Sequence, residues 1–289
     1  MSFDIPQIPQ QHLFLLFLLY SFVGWVCEEI WVSTLYCKIE KRGMLAGPVC
    51  PIYGFGALII LFAIYPWRGT WVRLFIASAV CASVLEYFSS WLLETLFHTK
   101  WWDYSKQHFN LNGRVCLLNS CAFGVGGVCL DHFLHPVALK IVFWQPVQPY
   151  IGAIYFVLSL VFASDVLFTI RRLVTFSEAM ERLKMFSEQI RERYEGEAWF
   201  KADDLHTTLA ELKARLDEGK IQASQRMKER VEHFTGSIRG TEVFFRKFPT
   251  MTSRDWKPQM EHARLAFKES VEKKIAQKKQ QKQQRKGNR

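Results

Sequence analysis

Ionisable side chains embedded in apolar sequence are the residues best placed to do chemistry, and this chain contains a small set of them. Glu28 and Glu29 stand late in an apolar run over 13–36, and Glu86 and Glu94 lie inside another over 71–97. Between that run and the next comes Trp101-Trp102-Asp103-Tyr104-Ser105-Lys106-Gln107-His108-Phe109-Asn110-Leu111-Asn112-Gly113-Arg114-Val115-Cys116, strongly polar and rich in aromatics. An acid at the centre of a bilayer costs on the order of 2.5 to 3.5 kcal/mol on insertion scales, so such residues turn toward partners or a wet cavity. Eight residues at about 100° each return to within about 80° of the starting direction, so Glu86 and Glu94 can share one broad helix face. Arg42 and Arg114 each offer a planar fork suited to carboxylate or phosphate. The chemistry implied is the holding of an anion, with the carboxylates orienting the arginines or accepting a proton or a cation.

The elements that must position these groups are membrane spans. The 289 residues are 49% hydrophobic, with a mean hydropathy close to zero, and the apolar residues concentrate before residue 171. Five runs reach the length of about 20 apolar residues that a spanning helix needs: 13–36, 49–66, 71–97, 115–134 and 147–170. Pro136 to Pro146 encloses a segment too short to cross, expected to lie in the interface. The expected fold is all-α: a polytopic helical bundle of about five transmembrane helices over 1–174, followed by amphipathic helices. Lys38, Lys41, Arg42, Lys100, Lys106, Arg114, Arg171 and Arg172 fall on one side of that topology, against Arg68, Arg73 and Lys140 on the other. By the positive-inside rule the N-terminus lies outside and the C-terminal region in the cytoplasm. The first run lacks a basic leader and a cleavage signal, and is expected to be retained.

Between the first two runs, Gly43, Gly47, Pro48, Pro51, Gly54 and Gly56 break any regular helix start. Either amides near Pro48 to Tyr53 are left facing a polar cavity, or the segment is a tight turn with close packing through Gly54 and Gly56. Gly124, Gly126 and Gly127 suggest a packing face in the fourth run, and Asp131, His132 and His135 suggest capping and interface roles ahead of a metal site. The seven cysteines carry no Cys-x-x-Cys and no zinc-like histidine spacing, and are expected as small buried hydrophobes in a reducing setting. No phosphate-binding glycine loop occurs, so the chain itself shows no sign of nucleotide binding. No cofactor and no metal are expected.

Beyond residue 174 the net charge of +10 is concentrated. Met180, Leu183, Ile190 and Tyr194, then Leu205, Leu209, Leu212 and Leu216, then Met227, Val231 and Phe234, recur at three- and four-residue steps, the pattern of amphipathic helices. We expect a cytoplasmic hairpin or bundle over 175–267, broken at Gly196, Trp199-Phe200 and Phe248-Pro249, and a basic, Gln-rich disordered tail over 268–289. Such a tail attracts anionic lipid or RNA weakly, and nucleic acid is not the expected partner.

Several motifs now carry a resemblance. Tyr20-Ser21-Phe22…Gly24-Trp25…Glu28, Arg42-Gly43…Gly47-Pro48…Pro51-Ile52-Tyr53-Gly54, Leu85-Glu86-Tyr87 and Trp102-Asp103-Tyr104-Ser105…Phe109-Asn110…Gly113-Arg114…Cys116-Leu117 resemble the bacterial membrane family described as putative ABC-transporter type IV, or CmpB-like permeases. The resemblance covers roughly residues 13–170, and departs from the family pattern at Lys41, His108 and Phe123. It implies a permease component of the bacterial cytoplasmic membrane working with a separate ATP-binding cassette subunit. The leading expectation is a cytoplasm-facing polar cavity of Glu28, Arg42, Tyr53, Glu86, Tyr87, Glu94, Trp102, Asp103, Tyr104, Asn110 and Arg114 that takes an anionic small molecule or lipid. One alternative is an intramembrane enzyme acting on a lipid-linked anionic substrate, with Asp103 or Glu86 as base and Arg42 or Arg114 as phosphate clamp. Another is a non-catalytic scaffold recruiting partners through its cytoplasmic helices. A structural reading, in which these residues pair only to close the bundle, stays open, and glycine- and alanine-rich spans permit a homo-oligomer without requiring one.

Overall fold

The computed structural model describes residues 8–36, 43–64, 70–236, 238 and 241–287. Two compact units result: Met1–Leu96 with Lys100–Arg171, and Phe97–Thr99 with Arg172–Arg289. In chain order the helices are α1 (Gln10–Tyr36), α2 (Pro51–Ile64), α3 (Trp71–Phe97), α4 (Leu117–Cys129), α5 (His135–Val142), α6 (Ile151–Tyr194), α7 (Leu205–Asp217), α8 (Gln225–Thr235), α9 (Glu242–Lys247) and α10 (Lys257–Gly287). A ribbon of β1 (Asn110–Leu111) and β2 (Val115–Cys116) lies between α3 and α4. The chain is an all-α helical bundle with almost no strand.

Among the described residues, four helical stretches are long and apolar enough to cross a membrane: Gln10–Ile30, Trp71–Phe97, Leu117–Val142 and Gln145–Tyr194. The second apolar run yields only the 14-residue α2 among the described residues, about 21 Å against a hydrocarbon core of about 30 Å. Among the described residues the second run is thus a short apolar helix beside the four longer ones, because the proline- and glycine-rich residues before Pro51 stay irregular. The fourth span also differs from expectation. It does not end at 134 before an interfacial segment; a π-turn over Leu130–Leu134 joins α4 to α5 and carries the helix to Val142. Pro136 removes one amide donor and crowds the preceding turn. The wider π-turn, with the His135 amide reaching the Leu130 carbonyl, absorbs both effects so that the helix continues.

Burial in α3 shows how the apolar solvent shapes the first unit. Val72, Ile76, Val80, Val84 and Phe88 form an exposed stripe, while Leu74, Ser78, Glu86 and Ser90 are buried, so the polar side faces protein and an apolar stripe is left outward, as a span in lipid requires. Leu16, Tyr20, Ala57, Ile60, Leu61, Leu74, Leu130, Ala138 and Val142 form the core. Helices approach closely where side chains vanish. A Cβ on Gly54 would lie 2.2 Å from Ser21 Oγ, and one on Gly24 would lie 2.3 Å from the Tyr53 ring. Gly124 and Gly127 pack likewise on Phe75 and Ser78, whereas Gly126 meets nothing. Of the six described cysteines only Cys116 is buried; Cys27, Cys121 and Cys129 point outward from apolar helices, where lipid in place of a protein core satisfies a small apolar group.

In the second unit the expected apolar periodicity is largely buried: Met180, Leu183, Ile190, Leu209, Leu212 and Val231 are at most 1% exposed. Asp204 and Ser224 cap α7 and α8 by accepting hydrogen bonds from the Thr207 and Met227 amides. The Lys- and Gln-rich stretch expected to be disordered continues α10 to Gly287, in keeping with the strong helix propensity of Lys, Gln, Glu and Arg.

Candidate functional site

The segment 100–116 folds as a braced loop ending in a hairpin. Asn112 and Gly113 both have positive φ, 53° and 64°, and the Arg114 amide donates to the Leu111 carbonyl at 3.0 Å, which makes a type I′ turn of the Asn-Gly kind. A Cβ at Gly113 would stand within 2.6 Å of Ser105 Oγ, Asp103 Oδ1 and Lys100 Nζ, so glycine is needed both for φ and for space. Asp103 organises this loop: Oδ1 accepts from Lys100 Nζ at 3.1 Å, from the Ser105 amide at 3.1 Å and from Ser105 Oγ at 2.5 Å. Partial burial pushes its carboxyl up, but the bonds from Ser105 and Lys100 outweigh that and hold it below the usual carboxylate range. Asn110 braces the same loop, donating to the Ser105 and Gln107 carbonyls and accepting from the Gly113 amide at 2.9 Å.

The braced loop places two side chains against α3. Tyr104 donates its hydroxyl to Glu86 Oε1 at 3.2 Å. Burial first, and then the adjacent Glu86, hold the phenol far above its ordinary value, so it stays a donor. Glu86 is 7% exposed, with Asn119 from α4 as a second polar neighbour. Its Oε2 is buried with no hydrogen-bond partner among the described residues. Tyr53, pinned over Gly24, is close enough to Glu28, Cys50, Tyr104 and Glu86 for their charges to act on it, and Cys50 Sγ points at Glu28 Oε2 at 3.8 Å. Contributions from α1, α2, α3, α4 and the loop thus meet around one buried carboxyl.

Two turns further along α3, Arg114 Nη2 stands 2.7 Å from Glu94 Oε2, with side-chain exposures of 12% and 20%. Its guanidinium lies over the Tyr87 ring at 5.4 Å, the Tyr87 hydroxyl accepts from Asn112 Nδ2 at 3.0 Å, and Trp102 Nε1 donates to the Arg114 carbonyl at 3.0 Å. Arg114 Nε and Nη1 are buried without a hydrogen-bond partner among the described residues. Glu86, Tyr87, Glu94, Trp102, Tyr104 and Arg114 are therefore brought together on the hairpin side of α3, with Glu28 and Tyr53 reaching the Glu86 end. Asp103 and Asn110 are spent within the loop. Arg42 lies outside the described residues.

Two participants were not singled out by sequence. Asn119 joins the Glu86 group from α4. Asp165, in α6, accepts from the Ala46 amide at 2.9 Å and the Gly47 amide at 2.8 Å; an aspartate inside an apolar run, flanked by Ala-Ser and Val-Leu, was the available signal. With Cys50 donating its amide to the Ser21 carbonyl at 3.0 Å, the amides of 46, 47 and 50 are satisfied by protein. Within Pro48 to Tyr53, the Cys50 and Tyr53 amides are taken up by backbone carbonyls and do not face a cavity. Nearer the other end of the bundle, Tyr20 Oη and His135 Nδ1 are 2.7 Å apart and His12 Nε2 meets Gln148 Oε1 at 2.9 Å.

No curated protein and no solved structure matches the chain. The family described as Putative ABC-transporter type IV matches over residues 15–170, a region holding the described candidate site and most of the candidate-span residues up to Ile170. The match takes in more than half of a chain whose apolar helices fit a multi-pass membrane protein, and the chain belongs to that Putative ABC-transporter type IV family.

Proposed function

We propose that this chain is the membrane permease component of a transporter, working with a separate ATPase, and that the Glu86–Arg114 region is where it holds an anionic substrate. The observation that carries the reading is Arg114. Its ion pair with Glu94 uses one nitrogen, while Nε and Nη1 remain buried and unpartnered among the described residues. An arginine serving only to close the bundle would place those donors on carbonyls or in water, since a buried polar group without a partner costs about 1–3 kcal/mol. A carboxylate or phosphate would supply oxygens to these two donors through separate contacts, because Nε–H points to the Nη2 side of the guanidinium and Nη1 to the other. Glu94 and Tyr87 hold the guanidinium in place, and Trp102 holds the Arg114 backbone carbonyl. Glu86, buried beside the Tyr104 donor and Asn119, would accept the proton or cation that accompanies the anion. In this proposal the protein lies in the bacterial cytoplasmic membrane, with the N-terminus outside and the region after 174 cytoplasmic, as the distribution of Lys and Arg supports.

The test uses full-length protein in lipid nanodiscs against a panel of small carboxylates, phosphate and phosphate esters, followed by uptake in proteoliposomes. At least one anion is expected to raise the thermal stability of the wild type and leave Arg114→Gln unmoved. Transport at the wild-type rate by a folded Arg114→Gln protein would overturn the reading.

A further inference from the structure

The second unit pairs a buried histidine with a partly exposed one. His206, in α7, and His262, in α10, face each other through Nδ1 at 3.1 Å. The other ring nitrogens are occupied: His262 Nε2 is 2.6 Å from the Phe234 carbonyl at the end of α8, and His206 Nε2 is 3.1 Å from Glu269 Oε1 on α10. His262 is 1% exposed. The side chains of His206 and Glu269 are 21% and 51% exposed, which leaves a route to water.

Counting donors fixes the protons. A carbonyl only accepts, so His262 must carry hydrogen on Nε2. Burial, then the nearby His206, drive its charged form down to a pKa of about 4, so near neutrality its Nδ1 is a bare lone pair. That lone pair needs a donor, which places hydrogen on His206 Nδ1. The Glu269 carboxylate also only accepts, which places a second hydrogen on His206 Nε2. The pair is satisfied when His206 is an imidazolium and His262 is neutral, three ring protons in all. The charges facing it are the carboxylates of Glu269 on α10 and Asp204 at the start of α7, with Lys201 beside Asp204, while α8 contributes the Phe234 carbonyl.

We propose that this chain of groups is a proton-gated latch that ties α7 to α10, closed in the three-proton state and loosened by the gain or loss of one proton. It is independent of the transport reading of the first unit. When the Nε2 proton leaves His206 for water, a lone pair faces the Glu269 carboxylate at 3.1 Å and the half-exposed glutamate swings away. When His262 gains a proton, two N–H groups confront each other across the pair and α7 is pushed off α10. Glu269→Gln separates this device from ordinary packing. Its amide nitrogen can donate to an unprotonated Nε2, so the contact no longer needs the extra proton.

The experiment uses full-length protein in nanodiscs with ring-15N histidine, assigned through His206→Asn and His262→Asn, together with amide hydrogen exchange over 205–217 corrected for intrinsic rates. At pH 6 the spectrum is expected to show His262 neutral with its proton on Nε2 and His206 carrying both. Protection of α7 is expected to fall several-fold from pH 6 to pH 8 in the wild type and to stay level in Glu269→Gln. A singly protonated His206 at pH 6, an equal slope in wild type and Glu269→Gln, or a zinc ion bound between the two Nδ1 atoms would each overturn the proposal.

Discussion

Removing the Arg114 guanidinium with Arg114→Gln leaves Glu94 without its cation. The two groups are 2.7 Å apart and 12% and 20% exposed, well under a third, so the pair belongs nearer the buried limit than the surface one. Breaking a buried pair from one side costs about 3–5 kcal/mol, whereas an exposed pair is worth about 0–1 kcal/mol. The residual exposure places Arg114→Gln at about 3 kcal/mol, with about 0.5–1 kcal/mol of that from the lost contact over the Tyr87 ring. Glu94→Gln strands the cation instead and should cost a similar amount. The double variant leaves no stranded charge, so it should cost no more than either single one, a coupling of about 2 kcal/mol or more. Equilibrium unfolding of the four proteins in mixed micelles measures this cycle. Single-variant costs that simply add, to within about 0.5 kcal/mol, would show that the pair does not couple α3 to the hairpin and would refute the reasoning.

Gly127→Ala is expected to destabilise by about 1–3 kcal/mol in the same unfolding assay, because its Cβ would meet Ser78 Oγ at 1.9 Å. Gly126→Ala, with open space around it, should be neutral or stabilising by up to about 1 kcal/mol. Asp165→Ala strips the acceptor from two amides and should cost roughly 2 kcal/mol, with Asp165→Asn costing less because one oxygen remains. For His262 the folded pKa of about 4 lies below the unfolded value of 6.5. The unfolded chain therefore binds more protons between those values, and the contribution of His262 to stability is full above about pH 6.5. It declines by about 3 kcal/mol as pH falls to about 4, to be read from urea unfolding at several pH values, with the decline reduced in His262→Gln.

Sequence alone determined the solvent of each part of the chain and the family. A run of 20 apolar residues has one stable solution in lipid, a helix that satisfies its own backbone, so α1, α3, α4 and the front of α6 could be read directly. The three- and four-residue spacing of Met180, Leu183, Leu209 and Leu212 did the same for the second unit, because only a helix puts those positions on one side. An acid inside such a run must turn inward, which made Glu86 and Glu94 legible. Asn112-Gly113, the pair that turns the hairpin, also carries a signal that local sequence can express.

Tertiary structure alone decided what each polar group meets. Asp103 and Asn110 look as available as Glu86 in one dimension, yet local turns consume them, while Glu86 meets Tyr104 only because the braced loop returns to α3. Asp165 reaches the amides of 46 and 47 across more than a hundred residues of chain, and His206 finds His262 across 56. Nothing in local spacing encodes those meetings. Periodicity records which face a side chain takes, since that depends on its own helix, whereas a partner depends on how separate helices pack, and packing is set by shape complementarity summed over the whole bundle.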